Sequence, residues 1–238
     1  MKNIFETKNA CRICDSYNIL EILNLGEQPP ANSLYEKGKS NPPSSVPLRL
    51  MYCEECSTVQ LGEDIDPEYL FGKYLWLTGT SETALKYSEE FVKKSLSHFD
   101  RFENKLFVVE VASNDGTFLQ QFQQASCRVL GVDPAVNIAE IATKKGISTQ
   151  ADFFSKDLAQ LLLKKHGAAD IVYARNVIPH VKEIHSVISG IEILLSKNGV
   201  GIIEFHNAGL LLTELHYDYI YHEHLFYFTL TTIDALLK

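Results

Sequence analysis

The chain has no block of basic residues. Its 22 Lys and Arg face 30 Asp and Glu, a net charge of −8, so the electrostatic footprint of a nucleic-acid or anionic-membrane binder is missing. No apolar run approaches membrane-spanning length and no charged-then-apolar leader opens the chain, which makes a soluble, cytoplasmic protein the expectation. Glycine is sparse where a dinucleotide would need it. Gly-x-Gly-x-x-Gly does not occur, and a pyrophosphate must approach bare backbone, so NAD and FAD are disfavoured. Cysteine is scarce too. Four of the five cysteines stand in pairs, and in a reducing compartment such pairs point to metal rather than disulfides.

What is present is a chain that can bury a core: 238 residues, 45% hydrophobic, room for one large domain and a small one. It is organised around residues 107–117. Phe107 to Val111 reads as a buried strand, Ser113-Asn114-Asp115-Gly116 as a turn, and Phe118, Leu119 and Phe122 recur at helical spacing. A helix N-terminus leaving such a turn is a binding surface at the carboxyl edge of a parallel sheet. Glu110 is an acid inside the strand, and a buried carboxylate needs a partner such as a ligand's ammonium group. S-adenosylmethionine (SAM) lacks a phosphate and carries that group, so the turn suits it.

Cys11-Arg-Ile-Cys14 and Cys53-Glu-Glu-Cys56 are two knuckles that together offer four thiolates, the ligand set of a closed, structural zinc site. Between them, residues 24–32 and a Pro/Ser-rich stretch to Pro47 read as loop without a further role, and residues 46–52 as a short strand. Residues 1–65 form the expected zinc-binding module, and 66–100 a linker with aromatics and a covering helix capped by Ser81. Residues 101–238 are the expected main, SAM-binding domain. Strands are predicted at 105–111, 128–132, 147–151, 170–174 and 200–205, with helices at 137–145, 156–166 and 184–195 between them. That alternation predicts an α/β, doubly wound, Rossmann-like parallel sheet.

Residues just past the strand ends line the crevice of such a sheet. Asp133 suits the two hydroxyls of a ribose, Asp152 an adenine amino group with Phe153 against the ring, and Asn176 follows the fourth strand. Six of the eight histidines lie between His180 and His224, and both His180 and Tyr221-His222-Glu223-His224 follow strands on the crevice edge. A histidine there is a candidate general base.

The cysteine pairs, Thr78-Gly-Thr-Ser81, Glu110-Val-Ala-Ser-Asn-Asp-Gly116, Gly131-Val-Asp-Pro134, Asp152-Phe-Phe154, Asn176-Val-Ile-Pro-His180-Val181 and Tyr221-His-Glu-His224 occur in this order. Together they resemble nucleotide-sugar C-methyltransferases, class I SAM-dependent enzymes with an N-terminal zinc domain. The resemblance implies methyl transfer from SAM to carbon 3 of a nucleotide-linked 4-keto-deoxysugar. It implies His224 as base, with His180, Tyr221 and Glu223 in the same pocket, and an N-terminal tyrosine at the sugar, Tyr74 or the neighbouring Trp76. It places Ala112, Ser113, Asn114, Asp115, Gly116 and Pro134 at the cofactor alongside Glu110. It also implies two further strands and a C-terminal domain beyond Lys238, so the chain is expected to be a truncation that is inactive alone and self-associates or needs a separate C-terminal polypeptide. Two other functions compete: an O- or N-methyltransferase, and a non-catalytic SAM- and zinc-binding remnant.

Overall fold

The computed structural model describes residues 4–34, 44–72, 76–99 and 105–238. Among them, no helix is long and apolar enough to cross a membrane. In chain order the first elements are β1 (Phe5–Thr7), β2 (Ile19–Gln28), β3 (Val46–Cys53), β4 (Val59–Leu61), β5 (Glu63–Ile65) and α1 (Pro67–Phe71). Next come α2 (Glu82–Leu96), β6 (Phe107–Val111), α3 (Thr117–Gln124), β7 (Arg128–Asp133), α4 (Val136–Lys144), β8 (Thr149–Ala151), α5 (Lys156–His166) and β9 (Ala169–Arg175). The last are α6 (Ile184–Leu194), β10 (Leu195–Glu204), α7 (Ala208–Thr213), β11 (Phe226–Tyr227) and α8 (Leu230–Leu236).

Two compact units emerge. One comprises Phe71–Arg175 and Ser186–Ile203. Its sheet runs β10-β9-β6-β7-β8, with β6 pairing parallel to β7 and β9, and β7 parallel to β8. The expected doubly wound sheet is therefore present, and its strand order reverses on either side of β6, at the switch point where such sheets bind ligands. α2 and α3 cover one face. Phe91, Phe118, Phe122, Ile171 and Tyr173 form the centre of the core. Phe91 meets the Phe118 ring nearly edge-on at 5.6 Å, one of the favoured aromatic geometries. Ser81 caps α2 as expected, its side chain accepting from the Ala84 N–H. β10 begins at Leu195, five residues before the expected strand, because α6 passes into it without the loop that Lys197-Asn198-Gly199 suggested.

The other unit gathers Met1–Leu70, Asn176–His185 and Glu204–Lys238. It holds a β1–β5 pair and a sheet ordered β11-β4-β3-β2. β2 was not anticipated, and it occupies an edge, where Pro29 and Pro30 beyond its end cost no ladder hydrogen bond. β11 differs more from expectation. It pairs antiparallel with β4, Phe226 opposite Gln60 and Tyr227 opposite Val59, so this short strand joins the sheet of the cysteine-bearing module. Helix α8 is opened by a Thr229–Thr232 capping box.

In the parallel-sheet unit, Glu110 is buried opposite Tyr173, whose hydroxyl donates to its carboxylate at 2.9 Å. Burial, against the pull of Arg175, pushes this carboxyl up to about 8. The folded state thus holds the proton more tightly than the unfolded chain, and stability falls as pH rises from about 4.5 to about 8. Glu110→Gln removes that dependence. Urea unfolding at pH 5 and pH 8 should show the variant gaining on the wild type with pH, at about 1.4 kcal/mol per pH unit at most. A difference that stays constant with pH would show that Glu110 ionises freely in the fold.

Candidate functional site

The cysteines come together as two matching knuckles. Each turn closes by a backbone hydrogen bond four residues on, Asp15 to Cys11 at 3.0 Å and Ser57 to Cys53 at 2.9 Å. Asp15 and Ser57, the residues after each second cysteine, both take left-handed φ, 58° and 61°. The four sulfurs lie within 4.8 Å of one another, with Cys11 to Cys56 at 3.5 Å and Cys14 to Cys53 at 3.6 Å. Tetrahedral zinc with bonds of about 2.3 Å separates its sulfurs by about 3.8 Å, so the set fits zinc and is too open for disulfides. Burial pushes the Cys11 thiol up, and a bound cation would offset that cost. Arg12, between the first pair, fixes the knuckle to the sheet. Its N–H donates to the Gln60 side chain at 2.8 Å, and its guanidinium donates to the Leu61 carbonyl at 3.0 Å and pairs with buried Asp64.

In the parallel-sheet unit, the turn after β6 is built on left-handed residues: Ala112 at φ 52°, Asn114 at 50° and Gly116 at 76°. It packs on β7 so closely that a Cβ at Gly131 would lie 2.3 Å from Ser113 Oγ, which explains the glycine of Gly-Val-Asp-Pro134. Ser113 Oγ is itself buried with no partner among the described residues. Asp133 accepts from the Asn114 N–H at 2.8 Å and from the Ala135 N–H at 2.9 Å, just past Pro134. Each oxygen keeps a lone pair, and burial raises the carboxyl. The side chains of Asn114 and Asp115 do something the sequence did not suggest. Asn114 accepts from the Thr78 N–H at 2.9 Å and donates to the Trp76 carbonyl at 3.1 Å, and Asp115 accepts from the Gly79 N–H at 3.2 Å. Lys145 then pairs with Asp115 at 2.7 Å. Asp152 is exposed and caps the N–H of half-exposed Phe153 at 2.8 Å. Tyr74 lies outside the described residues.

The six histidines from His180 to His224 belong to the other unit. His224 Nδ1 lies 2.9 Å from the Tyr219 carbonyl. A carbonyl only accepts, so Nδ1 carries the proton and Nε2 presents its lone pair to the Tyr221 hydroxyl at 3.0 Å. Burial, opposed by the Tyr219 carbonyl and aided by His206, lowers the His224 pKa and keeps the ring neutral. His180 sits 4.7 Å away, centroid to centroid, and burial together with His224 pushes its pKa down to about 3. His222 faces elsewhere, its Nε2 bonded to the Val46 carbonyl of β3 at 3.1 Å. Glu223 is buried and takes the Asn32 amide at 2.5 Å. Asn176, at φ 51°, donates its N–H to the Glu204 carbonyl at 2.8 Å. Tyr219 was not anticipated. It stacks on His206 at 3.9 Å and 13°, and lies nearly parallel to His224 at 5.7 Å. The structure thus gathers His180, Tyr221 and His224 in one unit, and Glu110, Ser113 and Asp133 in the other.

A family model described as a "Putative zinc binding domain" matches residues 11–71, and one described as "Methyltransferase domain" matches residues 85–238. The chain belongs to the methyltransferase-domain family. It is 30% identical over its whole length to C-methyltransferase NovU of Streptomyces niveus, of which it spans 57%, little more than half. Among solved structures it resembles the plantazolicin methyltransferase BpumL in complex with SAH, with a TM-score of 0.52 at 15% identity over 67% of this chain and 65% of that one. It also resembles a SAM-dependent methyltransferase from Archaeoglobus fulgidus, with a TM-score of 0.52 at 16% identity over 64% and 66%. At these identities the structural matches speak to fold alone. SAM and zinc are the cofactors of the methyltransferase and four-cysteine domains, as the turn and the knuckles implied.

Mass-spectrometric metal analysis of protein purified without added zinc should find one zinc per chain, falling to less than half in Cys53→Ser. Zinc retained after both Cys11 and Cys53 are replaced, or a disulfide between the pairs, would contradict the assignment.

Proposed function

We propose that the protein transfers a methyl group from SAM to a carbon, C-3, of a nucleotide-linked 4-keto-deoxysugar. The observation that carries this reading is the state of His224: neutral, tautomer fixed by the Tyr219 carbonyl, lone pair on Nε2 facing the Tyr221 hydroxyl. Methylating an oxygen or nitrogen that already has a lone pair needs no such base. A carbon beside a ketone does, because its proton must be removed first. The 30% identity to a C-methyltransferase supports the same choice.

When bound, SAM supplies an electrophilic methyl on a sulfonium. Residues Ala112 to Gly116 surround its amino-acid end, with Glu110 beneath them in β6, and Asp133 accepts from its ribose hydroxyls beside Pro134. Asp152 and Phe153 would take the adenine, and Asn176 is a further candidate contact. On the acceptor, His224 removes the proton α to the ketone through Nε2. As the Tyr221 hydroxyl turns from that nitrogen to the ketone oxygen, it and His180 donate to the charge that develops there, neutral donors for a buried oxyanion. Glu223 accepts from a hydroxyl of the sugar, and Tyr74 or Trp76 is the candidate aromatic for it. What remains is alignment of the carbon with the methyl group.

His224→Asn should slow exchange of the sugar's α-proton with deuterated solvent by a factor of about 100 or more, with SAH affinity by calorimetry nearly unchanged. Exchange that persists at the wild-type rate would contradict the role of His224.

A further inference from the structure

We infer that Asn32 is a positioning residue of the acceptor site: its amide holds one carboxylate oxygen of Glu223 and leaves the other for a hydroxyl of the acceptor. The inference rests on the reading of Tyr221–His224 as the acceptor-binding motif. Asn32 closes the Pro29-Pro30-Ala31-Asn32 segment of the cysteine-bearing module, a stretch that read as loop. In the structure it is a tight double turn, with Ser33 N–H on the Pro30 carbonyl at 3.0 Å and Leu34 N–H on the Asn32 carbonyl at 2.9 Å. Ser33 Oγ is anchored on the Tyr69 hydroxyl at 3.0 Å. The turn presents Nδ2 to Glu223 Oε1 at 2.5 Å across 191 residues of chain.

Glu223 is 2% exposed, and among the described residues this amide is its polar partner. The titratable rings on its own segment face other groups. His222 binds the Val46 carbonyl, and His224 binds the Tyr219 carbonyl and the Tyr221 hydroxyl. His180 meets the backbone of Glu223, not its carboxylate. Burial raises the Glu223 carboxyl and the Asn32 amide opposes it. A neutral donor suits this place. It stabilises the anion and fixes its angle, yet does not neutralise the charge that would attract a sugar hydroxyl.

The test needs no substrate at first. In the zinc-loaded 238-residue chain labelled with 13C-glutamate, the Glu223 signal is identified by its loss in Glu223→Gln and then titrated. Asn32→Ala should raise the midpoint by about one pH unit or more, as expected for loss of a hydrogen bond to a charged group. Asn32→Ser, which keeps a donor and covers the case of poor folding in the alanine variant, should fall between. Zinc content and SAH affinity should not change. A midpoint that moves in neither variant overturns the inference. In protein active on a nucleotide sugar, the acidic limb of kcat/KM should move upward by the same amount, whereas an equal loss at every pH marks a merely structural role and overturns it too. A shifted titration in protein that methylates no nucleotide sugar supports the Asn32–Glu223 coupling and overturns the acceptor reading alone.

Discussion

Antiparallel pairing between β4 and β11 carries much of what this protein can do. The Leu61 N–H bonds the Leu225 carbonyl at 2.9 Å, and Phe226 and Tyr227 continue the ladder. Leu225, Phe226, Tyr227 and Phe228 are all buried, so the strand is held by apolar burial as well as by hydrogen bonds. Tyr221 to His224 lie immediately before it. Their geometry is therefore inherited from the sheet on which the first cysteine knuckle is hung through Arg12, Gln60 and Leu61. A closed four-thiolate zinc site does no chemistry of its own. By stabilising β3 and β4 it fixes the surface against which the histidine motif is laid, with His222 bonded to β3 and Asn32 to Glu223.

The buried titratable groups share one electrostatic logic. His180 and His224 are driven toward the neutral form by burial, and Glu110, Glu223 and Asp133 are pushed upward by it. Each is then met by a directional, uncharged partner: a carbonyl, a hydroxyl, an amide or a backbone N–H. A base must be unprotonated to accept, and an oxyanion donor must hold a proton to give, so neutral His180 and His224 suit the proposed enolisation at neutral pH. Ion pairs are kept to other places, as with Arg12 and Asp64 or Lys145 and Asp115.

Local signals were legible. Continuous apolar runs and helical apolar spacing gave the βα alternation from β6 to β10, the Ser81 cap opened α2, and the Cys-x-x-Cys spacing located the metal ligands. Strand ends were legible too, because a buried strand must stop where polar residues begin, as at Asp133. What escaped was pairing between distant segments. Phe226 and Tyr227 form only a two-residue strand, with too few side chains for alternation to show, and nothing local reveals that its partner is Gln60 and Val59. Asn32 looked like the end of a proline loop because its partner lies 191 residues on. Nor does the turn's own sequence disclose that the side chains of Asn114 and Asp115 accept from the N–H groups of Thr78 and Gly79.

The central claim is that zinc ligation organises the Tyr221–His224 motif through β4 and β11. Amide hydrogen exchange before and after zinc chelation tests it most directly, with the β6–β7 ladder as internal reference. The account predicts that Leu61 and residues 224–228 lose protection together with the knuckle amides of Asp15 and Ser57, while Val108 to Val111 keep theirs. Protection at residues 224–228 that survives loss of the metal would contradict it.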